Sequence, residues 1–459
     1  MKFISKIHQI WKDHDLRRSI LFVLGLLIVF RIAAQIPMPG VDLEALKDLF
    51  NRNELLGLLN VFSGGGMSNF SIVALGIGPY ITASIIFQLL TMIVPALEEL
   101  SKSGESGQKK INQYTRMLTI PLAILQGYSM IKILQSSGGI IGDLGTGQYL
   151  STIIILTAGT VFLMWLGELI SEKKIGNGIS LIIFAGIVSG IPTAVPRMLT
   201  DISTNPSKAP GYIAFLIIAV LTVAGVVIIT EGQRNIPISY AKRVRGNRMY
   251  GGFDTHLPLK VNQAGMIPII FAIAIVMFPT LIAQFFVNAK SEFIRNASQF
   301  VTHILQPGGW AYGILYFFLV FGFTYFYTSV IFHPNQISEN LQKQGGFIPG
   351  IRPGRQTTDY LSKVSIRIML AGALSLGLIA VLPLLIGPIT DIKSIAISGA
   401  SLLIVVSVVL ETVRQIDSQL VMRDYEGLWF LFILSSWIPT EFLGLGRGGR
   451  VCKMRIVLI

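Results

Sequence analysis

Gly211 to Thr230 reads GYIAFLIIAVLTVAGVVIIT, and Glu231 to Gln263, directly after it, reads EGQRNIPISYAKRVRGNRMYGGFDTHLPLKVNQ. The first stretch has no charge and matches the ~20 residues that carry a helix across a bilayer core. The second holds Arg234, Lys242, Arg243, Arg245, Arg248 and Lys260. An uncharged span running into a basic loop is the repeating unit of a polytopic helical membrane protein. Working outward in both directions, ten such spans emerge, at about 19–37, 72–95, 115–136, 150–170, 179–196, 211–230, 264–287, 310–332, 366–387 and 394–412.

The loops alternate in charge. One side holds Lys2, Lys6, Lys12, Arg17, Arg18, Lys102, Lys109, Lys110, Lys173, Lys174 and the clusters from Arg234 to Lys260 and from Lys343 to Lys363. The other has only Lys47, Arg52, Arg197, Lys208, Lys290, Arg295 and Lys393. The positive-inside rule makes the first side cytoplasmic, and an even number of spans then puts both termini there.

Composition agrees. Mean hydropathy is +0.65, with 52% hydrophobic and 13% charged residues, so the rules for a single water-soluble core do not apply. The net charge of +13 sits on one side, where topology and anionic lipid account for it. Nucleic acid is expected only as ribosomal RNA met through a docked ribosome. Cys452 is alone, which excludes an internal disulfide, and His8, His14, His256, His303 and His333 all lie in loops or at span ends. No metal-ligand spacing exists, so neither metal nor cofactor is expected. The first span lacks a small-residue cleavage site, so a cleavable signal peptide is not expected.

The middles of the spans are almost free of charge; Arg31, Lys132, Glu168 and Glu172 sit at or beside span ends. Each is within snorkelling reach of an interface, which makes it an anchor, with packing or gating as the alternative. An ion-coupled carrier needs ionisable groups at the midplane, and an intramembrane enzyme needs a nucleophile and base or metal ligands inside the spans. The sequence offers neither, which favours a passive conduit over both.

Between the first two spans lies Asp42 to Phe70. Its first part, DLEALKDLFNRNELLGLLNVF, places apolar residues at helical spacing, and Gly64, Gly65 and Gly66 follow. It is too polar to span and too apolar to float. A short re-entrant helix inside a protein funnel satisfies both conditions; an amphipathic helix on the outer surface is the alternative. The triple glycine is no phosphate loop, since no strand precedes it and no Lys-Ser/Thr follows. Two loops, 231–263 and 333–367, are long, lack evident secondary structure, and mix Arg and Lys with Gly, Pro and aromatics. Such loops are usually functional, and these suit docking of a large partner. Five spans in each half would require an inverted repeat, with a pathway at the interface of the halves.

Particular stretches resemble a known family. EGQRNIPISYAKR at 231–243, THLPLKVNQAGMIP at 255–268, NLQKQGGFIPGIRPG at 340–354, ALGIGPYI at 74–81 and GNGISLIIFAGI at 176–187 resemble the SecY family, over about Asp15 to Glu426. The resemblance implies an all-α membrane protein: ten transmembrane helices in two pseudo-symmetric five-helix halves, 1–200 and 201–426, closing as a clamshell around an hourglass pore. It implies a protein-conducting channel in the cytoplasmic membrane that passes unfolded secretory polypeptides and releases transmembrane segments sideways into lipid, with no catalysis.

By the same resemblance the pore ring is Ile77, Ile81, Ile183, Ile187, Ile270 and Ile404; the two i, i+4 pairs each share one helix face. The plug is the segment from about 55 to 70, with Leu55, Leu58, Leu59, Phe62, Gly64, Gly65 and Gly66. The lateral gate lies between spans two and seven, with Ile85, Ile86, Gln88 and Leu89 facing Ile273, Val276, Met277 and Phe278, and spans three and eight flanking. Lys242, Arg243, Arg352 and Arg355 would dock the SecA motor ATPase or a translating ribosome. SecE and SecG would be companion subunits, and signal peptides, nascent chains and membrane lipid the other partners. The tail, 427–459, resembles nothing in that family; Pro439 and Glu441 argue against an eleventh span.

Overall fold

The computed structural model describes residues 10–39, 41–46, 60, 63–136, 145–240, 243–245, 248–250, 254–265, 267–286, 291–305, 309–382 and 401–422. The tail and Leu55, Leu58, Leu59, Phe62 and Lys242 therefore lie outside the described residues.

Helix α1 spans His14–Ala33. The Asp13 carboxylate caps it by accepting from the Asp15 and Leu16 amides, with Asp15 in the first turn and Arg31 in the last, both favourable to the helix dipole. Helix α2 (Gly78–Ile93) ends where Pro95 begins α3 (Pro95–Lys102), and the two are bent by 102°. Proline lacks the amide that would continue the helix and disfavours helical geometry at Val94. Helix α4 (Glu105–Ser136) would measure about 48 Å at 1.5 Å per residue. The hydrocarbon core is about 30 Å, so α4 projects beyond it. Then follow α5 (Thr146–Glu172), α6 (Gly178–Val188), α7 (Ile191–Thr204), α8 (Ala209–Glu231), α9 (Ile267–Phe286), α10 (Glu292–Ile304), α11 (Trp310–Ile331), α12 (Pro334–Lys343), α13 (Arg355–Val381) and α14 over 401–422.

By length and composition α4, α5, α8, α11 and α13 can each cross a bilayer, and the bent pair α2–α3 makes a sixth candidate. Helix α6 and the first half of α9, Ile267–Val276, are shorter and apolar.

Three sequence expectations change in detail. The second span is not helical from its start: residues 72–77 run as turns, buried from Val73 on, with Gly76 at φ 59°. The fifth stops at Val188 rather than 196, and a separate helix, α7, starts after Gly190 with Pro192 in its first turn. The two long loops do carry secondary structure. Strand β1 (Gln233–Tyr240) pairs antiparallel with β4 (Asp254–Lys260), and β2 (Arg243–Arg245) with β3 (Arg248–Tyr250) between them. Strand β5 (Gly346–Phe347), from the second loop, pairs with the other edge of β1 through Ser239–Phe347 and Tyr240–Gly346. One three-stranded sheet thus joins both loops. Ile236 and Leu259 of the sheet, with Ile348, pack on Leu361 and Val364 of α13.

At the α7–α8 corner, Asp201 accepts from the Tyr212 hydroxyl (2.8 Å) and the Lys208 ammonium (3.1 Å). Those bonds hold its carboxyl below the usual carboxylate range.

Candidate functional site

Residues from both halves meet in one large hydrophobic cluster. It takes side chains from α1, α5, α6, α8, α9, α11, α13 and α14. All six ring positions belong to it: Ile77, Ile183, Ile270 and Ile404 are buried, at 1%, 1%, 8% and 0% exposure, with Ile81 and Ile187 half-buried against them. Ile77 caps α2 and Ile81 lies one turn inside it, which keeps both on the face turned to the cluster. Ile183 and Ile187 stand one turn apart on α6, which Asn177 starts by accepting from the Ile179 and Ser180 amides. The six themselves are aliphatic, in a cluster that also takes in Phe30, Tyr312 and Tyr316.

Helix α2 packs against α9, and α9 also touches α4 and α11. On α2, Ile85 is buried and Ile86, Gln88 and Leu89 are half-buried; on α9, Ile273 and Val276 are buried. The side chains of Met277 and Phe278 are outside the description. Gln88 Nε2 donates to Ser84 Oγ at 3.3 Å, and its side-chain Oε1 has no partner among the described residues. Phe271 of α9 meets Phe323 and Tyr327 of α11 edge-on, at 6.2 and 6.0 Å.

Of the plug positions, Gly64, Gly65 and Gly66 are described. They open a run of turns from Ser63 to Ile77 in which Ser63, Gly64, Gly66, Met67 and Phe70 are buried. Asn60 organises the start: its carbonyl accepts from the Gly65 amide (2.8 Å) and its side chain from the Ser68 amide (2.8 Å). Gly64 has φ +69°, and a Cβ there would stand 2.6 Å from Phe30 Cζ and 3.1 Å from Gly186 Cα. The segment is thus wedged between α1 and the stretch of α6 that carries Ile183 and Ile187. Arg31 Nη1 donates to the Gly64 carbonyl at 2.5 Å, and Asn69 Nδ2 to Gln35 Oε1 at 3.1 Å. Sequence reasoning missed both bonds; the position of Arg31 near a span end was the only hint, and it pointed first to lipid.

Of the remaining span charges, Glu168 and Lys132 have protein neighbours. Arg116 pairs with Glu168 at 2.5 Å across α4 and α5, Lys132 lies 5.6 Å from the Tyr149 ring, and Glu172 is exposed. Arg414 of α14 binds Glu231 (2.8 Å) and the Thr230 carbonyl (2.6 Å), while Gln419 reaches the Lys174 carbonyl at 2.7 Å. Helix α14 is thereby tied to both halves of the chain at one end.

On the loop sheet, Arg352 and Arg355 are exposed, beside the β5 strand and at the first turn of α13. Arg243 lies in β2, its side chain outside the description. Among the described residues no cluster of His, Cys, Asp or Glu could hold a metal.

The sequence profile named SecY matches residues 71–413. The chain is 45% identical over 443 residues to the protein translocase subunit SecY of Corynebacterium glutamicum, covering 93% of this chain and 100% of that one. It is 43% identical over 447 residues to the protein of the same name from Mycobacterium tuberculosis, covering 93% and 98%. Among solved structures, a protein-conducting channel superposes with a TM-score of 0.61 at 18% identity, over 86% of this chain and 90% of that one. A SecY structure described by the sealing role of its plug domain gives 0.61 at 20% identity, over 86% and 90%. The channel of a canine ribosome complex from the endoplasmic reticulum gives 0.60 at 18%, over the same shares. At these identities the superpositions show a shared fold.

Proposed function

This chain belongs to the SecY family, and from that membership we propose that it is the protein-conducting channel of a translocase in the cytoplasmic membrane. It passes unfolded secretory polypeptides across and releases apolar segments sideways into lipid. It works as a translocation channel, and the energy comes from a partner rather than from catalysis of its own.

The observation that carries the reading is the meeting of six isoleucines, from α2, α6, α9 and α14, in one cluster built by both halves. An aliphatic constriction expels water and ions when empty, by dewetting, and gives a passing chain nothing to bind tightly. Branched side chains can close around any residue that follows. On this reading Ile77, Ile81, Ile183, Ile187, Ile270 and Ile404 form the pore ring. By the same reading ten spans, α1, α2, α4, α5, α6, α8, α9, α11, α13 and α14, form a clamshell of halves 1–200 and 201–426, and the one-sided distribution of Lys and Arg puts both termini in the cytoplasm.

The contact of α2 with α9 supports a lateral gate along Ile85, Ile86, Gln88, Leu89, Ile273, Val276, Met277 and Phe278. Partitioning there sorts segments. A Leu-type residue at mid-membrane gains about 0.3 to 0.6 kcal/mol, and a central Lys or Arg costs about 2.5 to 3.5 kcal/mol. One central charge therefore offsets roughly six leucines, and a segment whose sum is unfavourable stays in the aqueous path. The segment from about 55 to 70 is the plug.

The joined loop sheet forms the docking face, with Lys242, Arg243, Arg352 and Arg355 binding the SecA motor or a translating ribosome. Arginine's planar fork suits carboxylate and phosphate alike. SecE and SecG are the proposed companion subunits. The test is reconstitution of the chain with SecE and SecG in vesicles. With SecA and ATP, a secretory precursor should become protected from added protease; a precursor that stays fully digestible would refute the proposal.

A further inference from the structure

The bonds between the end of α1 and the segment 63–72 divide into two kinds. Near Phe70 they are backbone to backbone: the Met38 amide donates to the Phe70 carbonyl at 2.9 Å, the Ile72 amide to the Ile36 carbonyl at 3.2 Å, and Pro37 and Ser71 form an antiparallel bridge. Nearer the triple glycine they are side-chain bonds, from Arg31 to the Gly64 carbonyl and between Asn69 and Gln35. The segment itself is braced internally. Asn60 binds the Gly65 and Ser68 amides, and the Met67 amide donates to Ser63 Oγ at 3.0 Å. Phe70, at the boundary, has φ +40°, an uncommon value for a residue with a side chain.

A braced unit, a backbone anchor at one end and two side-chain bonds at the other make a hinged flap with a catch. We propose that Arg31, assisted by Gln35, is the catch: a positioning residue of the first span that holds the plug closed through the Gly64 carbonyl. The inference rests on the plug reading. Arg31 forms no ion pair among the described residues, so its charge is directed at a backbone oxygen. A charge-assisted bond of this kind is stronger than a neutral one, the more so away from water. Phe30 and Gly186 press on Gly64 from two sides, so widening the ring at α6 removes one wall of the seat while Arg31 still holds the other. Opening then requires the Arg31 bond to break, and the closed population depends on it.

The test uses the full chain with its companion subunits in planar bilayers, comparing wild type, Arg31→Met, Arg31→Lys, Asn69→Ala and a deletion of residues 63–69. Resting ion conductance should rise about tenfold or more in Arg31→Met, following the loss of a charged hydrogen bond from one of two states. Arg31→Lys, which keeps a cationic donor, should recover most of the seal. Asn69→Ala, at a partly exposed site that does not threaten folding, should leak less than Arg31→Met but more than wild type. As a second readout, Ser68→Cys in a Cys452→Ser background should react faster with a membrane-impermeant maleimide once Arg31 is Met. A sealed, slowly labelled Arg31→Met channel beside a leaking deletion would overturn the catch and leave the plug standing. A deletion that conducts no more than wild type would overturn both.

Discussion

Replacing Ile183 by Asn puts an amide at a proposed ring position that is 1% exposed within the large hydrophobic cluster. In the closed state the change forfeits the burial of an isoleucine, about 1.5 to 3 kcal/mol, and leaves a buried amide without a partner, about 1 to 3 kcal/mol. In the open state the same amide meets water, so most of both losses disappear. A net bias of about 3 kcal/mol toward opening is a reasonable middle value, and at 1.4 kcal/mol per factor of ten it shifts the closed–open ratio roughly a hundredfold. Ile183→Val, which removes one methylene, should cost only about 0.5 to 1.5 kcal/mol and stay near wild type. The assay is resting conductance of the reconstituted channel, paired with export of a precursor whose signal sequence is defective. Asn should raise the first and rescue the second, with Val close to wild type. An Asn variant that assembles and melts normally yet conducts no more than wild type would refute the ring assignment.

Three further outcomes follow from other parts of the molecule. Arg352→Glu, on the exposed turn after β5, should depress SecA-driven export severalfold while the assembled complex melts as before; export at the wild-type rate would remove Arg352 from the docking face. Cysteines at positions 85 and 273, placed on α2 and α9, should crosslink on oxidation and block translocation until reduced, and undiminished transport by the locked protein would place the exit elsewhere. The carboxyl of Asp201, held low by Tyr212 and Lys208, contributes stability that is fully present above its ordinary, unfolded-state pKa and is lost as pH falls through the depressed folded value. The wild type should therefore lose part of its advantage in melting temperature over Asp201→Asn only below the usual carboxylate range; a gap that is already constant from neutral pH downward would contradict the assignment.

The membrane character of the chain was readable from hydropathy alone. Gly211 to Thr230 became α8 almost residue for residue, because burial in lipid needs only length and the absence of charge. Where the chain is buried in protein, that signal loses its meaning. Residues 72–77 are as apolar as a helix, yet they run as turns because neighbouring helices enclose them. The loop sheet was missed although Ile236 and Ile238 alternate with Asn235 and Pro237 as in a half-buried strand. Pro237 obscured that alternation, and pairing Tyr240 with Gly346 is a contact no local pattern announces. Arg31 was read toward lipid because its partner is a backbone carbonyl, which carries no mark in the sequence. The six isoleucines proposed for the ring were singled out by family motifs alone, since isoleucine in a span is otherwise commonplace; their gathering in one cluster is a tertiary fact.

The most direct measurement is crosslinking of a secretory chain arrested in transit to photoreactive probes placed one at a time at Ile81, Ile187 and Ile404. Adducts from all three, and none from a probe at the exposed Leu216 of α8, are the predicted result. An arrested chain that reacts at none of the ring positions would contradict a conduit through the isoleucine cluster.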